Sequence, residues 1–196
     1  MRLSFLIAAL STLVACSSSN GPPAGLIAYS CVAGEALHLM AFDPHPARRA
    51  WATLGGSAQK GESPEQTAIR EFTEESNCAY TRVEMDLSRP KGPSISPGVP
   101  FHLYTAQVPF KSVDEIAQPR QCVDIERSQW VWVRHIDLVR AINQHQEGAQ
   151  EALTVPTVQG LPAQVPLWDR GVESLKKALQ EGVLPETIHC SVTQLS

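Results

Sequence analysis

No stretch of this 196-residue sequence is apolar over the ~20 residues that a membrane-spanning helix needs. Its longest apolar run near the start, Leu3 to Leu10, is far shorter. No two of its five cysteines stand at C-x-x-C spacing, which puts a zinc site well behind other uses of these residues. Basic residues are in deficit, 16 against 20 acidic, so the chain has no general attraction for nucleic acid. Internal repeats are absent as well. What remains is 43% apolar and of a length that suits one globular domain with a sizeable core.

The first fifteen residues, with Arg2 ahead of the apolar run and small residues up to Cys16, have the layout of an export signal. Leu13-Val14-Ala15-Cys16 resembles the lipobox of bacterial lipoproteins, which implies cleavage before Cys16, lipid on its thiol and membrane association through that anchor. Ser17 behind the cysteine resembles the outer-membrane class, facing the periplasm. Residues 16–24, Ser- and Pro-rich, read as a flexible tether. The alternative is an ordinary cleaved signal with a chance cysteine. Loss of residues 1–15 removes one arginine and leaves a formal charge of −5. Cys31, Cys78, Cys122 and Cys190 then form an even set, which in an exported chain predicts two disulfides in any of three pairings.

Apolar residues from Leu26 to Ala33, a Gly34-Glu35 turn and alternation over Leu37 to Phe42 predict a hairpin. Gly55-Gly56 opens a loop that leads to a helix at Ser63. Alternation predicts a strand over Thr81 to Leu87, and further strands follow at Phe101–Val108 and Trp130–Val133. Ile136, Leu138, Val139 and Ile142 give a second helix its stripe, residues 145–167 read as a long loop, and Val172, Leu175 and Leu179 mark a third helix. The order predicts a mixed β-sheet between helices, an α/β/α sandwich. A domain over 25–145 and a C-terminal loop and helix over 146–196 packed on it complete the division.

The chemistry concentrates on the helix at Ser63. Ser63 is a good N-cap, Pro64 suits the first helical position and Gln66 completes a capping box, so the helix runs to about Ser76. At 100° per residue Glu71, Glu74 and Glu75 fall on one stripe, with Ala68, Ile69 and Phe72 opposite. Three carboxylates so placed repel one another, and a hard divalent cation such as Mg²⁺ or Mn²⁺ would offset them better than Arg70 alone. Taken without context, the stripe also reads as a solvated acidic face.

The context is Gly56, five residues, Glu62, seven residues and then Arg70-Glu71-Phe72-Thr73-Glu74-Glu75, which resembles the signature box of the Nudix hydrolases. Asn77 and Cys78 depart from it where the pattern has Gly and an apolar residue, and Leu54 stands where many members have Pro. Asn tolerates the left-handed backbone that closes the helix, and a buried Cys is a small apolar residue. The resemblance implies a Nudix-like sandwich, metal-binding Glu71, Glu74 and Glu75 with the carbonyl of Gly55 as an extra ligand, and a Glu62–Arg70 salt bridge. It places a further acid before Trp132: Glu126, or more weakly Asp124, as ligand or base. Catalysis would fall to Glu71, the first choice of base, with Glu75 and Glu126.

Trp51 is open to two readings, a stacking residue for a base or a core aromatic. Arg48, Arg49 and Lys60 flank the same loop and would meet phosphates or simply face water. The implied reaction is divalent-metal-dependent hydrolysis of a small-molecule diphosphate, nucleoside-linked or related, in the cell envelope. The alternative is a catalytically silent Nudix-fold binding module. Prolines crowd the loop where ADP-ribose-cleaving members carry one, and no tyrosine marks a dinucleoside polyphosphate hydrolase. The sequence sets no oligomeric state.

Overall fold

A computed structural model describes residues 21–82, 93–122, 126–146 and 151–191. The export signal, Cys16, the expected strand beyond Arg82 and Asp124 lie outside the described residues. The predicted hairpin forms as β1 (Ala24–Val32) and β2 (Glu35–Asp43), paired antiparallel with Tyr29 opposite His38. Ala33 and Gly34 turn it with φ of 50° and 84°. Two short strands follow, β3 (Ala50–Ala52) on β2 and β4 (Leu54–Gly56) on β1, then helix α1 (Pro64–Glu75).

Next come β5 (Ser94–Ile95), β6 (His102–Gln107), a one-turn helix α2 (Val113–Ile116), β7 (Trp130–Arg134) and α3 (His135–Gln144). The chain finishes with β8 (Thr154–Gln159), β9 (Gln164–Pro166) and α4 (Asp169–Gln180). The strands join in the order β5-β6-β1-β2-β7-β8-β9, and β1 with β6 is the parallel pair that makes the sheet mixed.

The pleat sorts the core. Leu26, Leu39, Trp130 and Trp132 point to one face, where Ala68, Ile69 and Phe72 of α1 cover them. Their neighbours Ile27, Met40, Val131 and Val133 point to the other, under Leu138 and Ile142 of α3 and Val172, Leu175 and Leu179 of α4. Helices therefore lie on both faces, and the expected α/β/α sandwich is the observed fold.

Three local expectations need correction. Gly55-Gly56 belongs to a strand, because β2 pairs with β1 only from Tyr29 onward and β4 fills the remaining positions of that side at Gly25 and Leu26. Residues 145–167 contain the β8–β9 hairpin, whose Pro156, Pro162 and Gly160 break the alternation that would have revealed it, and so this segment extends the sheet beyond β7 instead of looping over it. The described end of the tether is docked: Ala24 is fully buried, and a side chain on Gly21 would come within 2.6 Å of the Glu62 carbonyl. Ile136 is the odd member of its helix stripe, 62% exposed.

The cysteines pair as Cys31–Cys190 and Cys78–Cys122, with Cα–Cα distances of 5.4 and 5.6 Å. Near the first bridge His38 and His135 meet, Nε2 to Nδ1 at 2.9 Å, and His135 Nε2 lies 3.1 Å from the Glu186 carbonyl, tying the C-terminal segment to the sheet. Burial, and His135 beside it, push the His38 pKa from 6.5 down to about 3. An unfolded chain takes up this proton below pH 6.5 and the folded one refuses it. The pair's stability is therefore fully present above pH 6.5 and is lost as pH falls toward 3, by up to about 1.4 kcal/mol per pH step. Urea midpoints at pH 7.5 and 4.5 should differ more in the native chain than in His38→Gln; equal differences would refute the coupling.

Candidate active site at the C-terminal half of α1

The capping box of α1 is formed on both sides: the Gln66 N–H donates to Ser63 Oγ and the Ser63 N–H to Gln66 Oε1. With the helix so started, residues 70–75 face β4 and the loop after it. Arg70 is the hub. Its Nε donates to Glu62 Oε1 at 2.7 Å, Nη1 to Glu74 Oε2 at 2.7 Å, and Nη2 to Glu71 Oε1 at 2.9 Å and the Ser57 carbonyl at 2.7 Å. Glu62 also accepts from the Gln59 N–H and Thr67 Oγ1, and with Arg70 as the main cause its pKa falls to about 2. The expected Glu62–Arg70 bridge is thus a brace between loop and helix.

Glu75 is the most enclosed of the three stripe carboxylates, 1% exposed. One oxygen accepts the Gly55 N–H at 2.7 Å and the other meets Arg127 Nη2 at 2.6 Å. Burial outweighs both partners and raises its pKa to about 7. Glu71 is raised too, first by burial and then, against the pull of Arg70, by the charges of Glu74 and Glu126. Glu126 itself is exposed, yet its charge reaches Glu71.

Arg127 carries no sequence signal that marks it, and it is the main residue that sequence reasoning missed. It is 6% exposed and joins Glu75 to Asp43, Nη1 to Oδ1 at 3.0 Å. Asp43 in turn holds Arg48 at 2.7 Å, so charge runs Arg48–Asp43–Arg127–Glu75 from a cleft rim to the helix. The two departures from the signature serve the same region. Asn77 and Cys78 have φ of 56° and 52°, closing the helix. The Asn77 amide donates to the carbonyls of Ile116 and Gln118, and Cys78 bonds Cys122, fastening the segment that leads to Glu126 and Arg127.

Gly56 gives Glu71 its room. A Cβ there would stand 2.5 Å from Glu71 Oε2. Gly56→Ala should therefore leave stability nearly unchanged, since a flexible carboxylate can move aside, while activity drops by up to about 100-fold through that displacement. Thermal unfolding and turnover measured together test it; full activity in the Gly56→Ala variant would refute it.

Beside this end of α1 lies a cleft of about 540 Å³, floored by Gly55 and Gly56 and bordered by Arg127, Arg48, Phe101 and Trp168. Of the expected substrate residues, Arg48 lines it, 5.6 Å over the Trp168 ring, whereas Arg49 is exposed and absent from the lining. Trp51 is a core aromatic: it is 3% exposed, packs on Phe42, and its strand bridges Leu167, so stacking on a substrate is corrected.

The donor set suits a hard divalent cation: three carboxylates lie on one stripe, and the charge of Glu74 helps raise the pKa of Glu71 as that of Glu71 helps raise the pKa of Glu75. In the side-chain settings described, no three acidic groups form a ready-made cage among the described residues, because Arg70 draws Glu71 and Glu74 while Arg127 draws Glu75.

The NUDIX domain profile matches residues 28–154. The chain belongs to the NUDIX family. In class it is a Nudix pyrophosphohydrolase. The fold agrees with that of the Nudix hydrolase RenU from M. smegmatis, 17% identical over 86% of this chain and 89% of that one, with a TM-score of 0.52. A mutT/nudix family protein from Listeria innocua is 19% identical, covering 84% of this chain and 94% of that one at a TM-score of 0.48. An Ap4A hydrolase from C. elegans in a binary complex is 22% identical over 60% of this chain and 83% of that one, at 0.47. No curated protein matches the chain.

Proposed function

We propose that this NUDIX protein hydrolyses a nucleoside-diphosphate-linked or related pyrophosphate compound in the cell envelope, with Mg²⁺ or Mn²⁺ held by Glu71, Glu74 and Glu75. The observation that carries the reading is the meeting of that carboxylate stripe with a side-chain-free floor at Gly55 and Gly56, open to the cleft. When bound, the cation offsets charge on phosphoryl oxygens and lowers the pKa of the attacking water. The protein's own part is positioning and proton transfer. Glu71 Oε1 is engaged by Arg70, and Oε2, turned toward Gly56, takes the water proton. The water oxygen bonds to phosphorus, the bridging P–O bond breaks, and two phosphate-bearing products leave.

Arg70 and Glu62 fix the stripe, and Arg127 fixes Glu75. The Gly55 N–H is engaged by Glu75, so any further ligand from Gly55 would be its carbonyl. Glu126, exposed nearby, is the second candidate for the base. Anchoring through Cys16 rests on the lipobox resemblance, and membrane retention that persists in Cys16→Ala would refute it.

A panel of ADP-ribose, nucleotide sugars and dinucleoside polyphosphates, assayed with Mg²⁺ and with chelator, tests the activity. Chelator-sensitive cleavage of at least one is expected. No cleavage of any would favour the binding-module alternative.

A further inference from the structure

The chain enters β1 and β6 at the same end of the sheet, because these strands run parallel with Ala24 opposite His102. Two segments therefore meet that end side by side. One is the incoming chain, Gly21 to Pro23, whose Pro23 carbonyl accepts from the His102 N–H at 2.9 Å. The other is the turn between β5 and β6, residues 96–101. It is held tightly: the Ser96 N–H donates to the Phe101 carbonyl at 2.9 Å, Ser96 Oγ donates to Ser174 Oγ of α4 at 2.7 Å, and Gly98 supplies a φ of 80°.

From Pro93 to Phe101 the sequence reads Pro-Ser-Ile-Ser-Pro-Gly-Val-Pro-Phe, without a charged side chain. Its apolar members stand in the open: Ile95 is 43% exposed and Val99 50%, with Pro97 and Pro100 exposed beside them. An uncharged apolar tip suits the interface of a bilayer, where buried apolar area stabilises binding and a charge would cost free energy. Exposed apolar side chains by themselves select no partner. The length of the chain ahead of them does. Gly21 is seated on the domain, where a Cβ would meet the Glu62 carbonyl at 2.6 Å and the Ala58 Cβ at 3.5 Å. Cys16 stands five positions before it, a span that cannot exceed about 18 Å in any conformation. A lipid on Cys16 therefore keeps this end of the sheet close to the bilayer, at a distance where a contact too weak to hold the protein from solution is sufficient.

We infer that the β5–β6 turn is a membrane-docking surface, seated through Ile95 and Val99 in the headgroup layer of the bilayer that carries the Cys16 anchor. Pro23, Pro97, Gly98 and Val99 also line the cleft, so the same seating sets the mouth of the cleft at the lipid surface. The inference rests on the lipid-anchored reading of Cys16 and not on turnover of any diphosphate. The full chain, purified from membranes with its lipid, is placed in vesicles of phosphatidylethanolamine and phosphatidylglycerol with plain or brominated acyl chains. The emission that Val99→Trp adds to that of the native chain should be largely quenched by bromine. Glu35→Trp puts the same ring at an exposed site at the far end of the β1–β2 hairpin, and its added emission should be untouched. Ile95→Trp gives an independent check should Val99→Trp disturb the turn.

Unquenched emission from Val99→Trp and Ile95→Trp in chains that sediment with the vesicles would overturn the inference and leave the anchor standing. Equal quenching of Glu35→Trp would overturn it too, since the domain would then present no fixed face to the lipid. A native chain that fails to sediment with vesicles would overturn the anchor and the docking surface together. Chelator-sensitive cleavage of a diphosphate, measured separately, would leave the hydrolase reading in place in each of these cases.

Discussion

Replacing Arg127 with methionine should destabilise the protein by about 3–5 kcal/mol and remove most of its activity. Methionine roughly fills the space of the arginine stem and supplies no charge. Glu75 would then be buried with only the Gly55 N–H as partner, and Asp43 would keep Arg48 and the His45 N–H. Burial already holds the Glu75 carboxyl near a pKa of about 7 against the pull of Arg127, so the loss of that arginine would drive the carboxyl to its neutral form at pH 7. A second substitution separates the structural and chemical parts. Arg127→Met combined with Glu75→Gln should recover part of the stability, because no carboxyl remains at that end to be held neutral above its ordinary pKa, and should recover no activity. Urea unfolding and turnover measured side by side give both quantities. A loss under about 1 kcal/mol in the single variant would mean that the buried chain of ion pairs contributes little.

Glu71→Gln should lower kcat by about 10²- to 10⁴-fold, the usual contribution of a positioned base, while unfolding stays close to that of the native chain. Glutamine keeps the side chain's shape and a carbonyl oxygen to accept from Arg70, but it cannot take a proton. Because burial raises the Glu71 pKa, the native enzyme should lose rate on the acid side as that carboxylate becomes protonated, and the variant should lack the part of this limb that belongs to Glu71 while keeping the part set by Glu75. Glu75→Gln should lower kcat to a similar extent and stability as well, since it breaks the contact with Arg127. Glu126→Gln should do less than Glu71→Gln. A reversed order would transfer the role of base to Glu126.

Helix α1 and its stripe were legible in the sequence because what makes them is local. The cap lies within three residues, the stripe within five, and helical geometry converts both into a face. The hairpin and the strand at Trp130 were legible for the same reason, the one through its turn and alternation and the other through a short apolar run. Arg127 was not, since its partners Asp43 and Glu75 are remote along the chain and a lone arginine in a loop reads as surface charge. Trp168 escaped notice because nothing local distinguishes a cleft wall from a core tryptophan, while Trp51, beside the glycine pair, drew a role that burial denies it. The β8–β9 strands were hidden by prolines, which a hairpin at the end of a sheet tolerates. Cysteine pairing depends on how the strands and loops fold back together, so the count alone could predict that two bridges form and not which.

Those two bridges are nested: the ring closed by Cys78 and Cys122 lies wholly within the one closed by Cys31 and Cys190. Synthesis delivers the chain from its N-terminal end, so both cysteines of the inner ring emerge before β8, β9 and α4. The outer ring must wait for Cys190. Oxidation can thus secure the end of the glutamate helix before Trp168 arrives, so that the floor of the cleft is fastened ahead of its border.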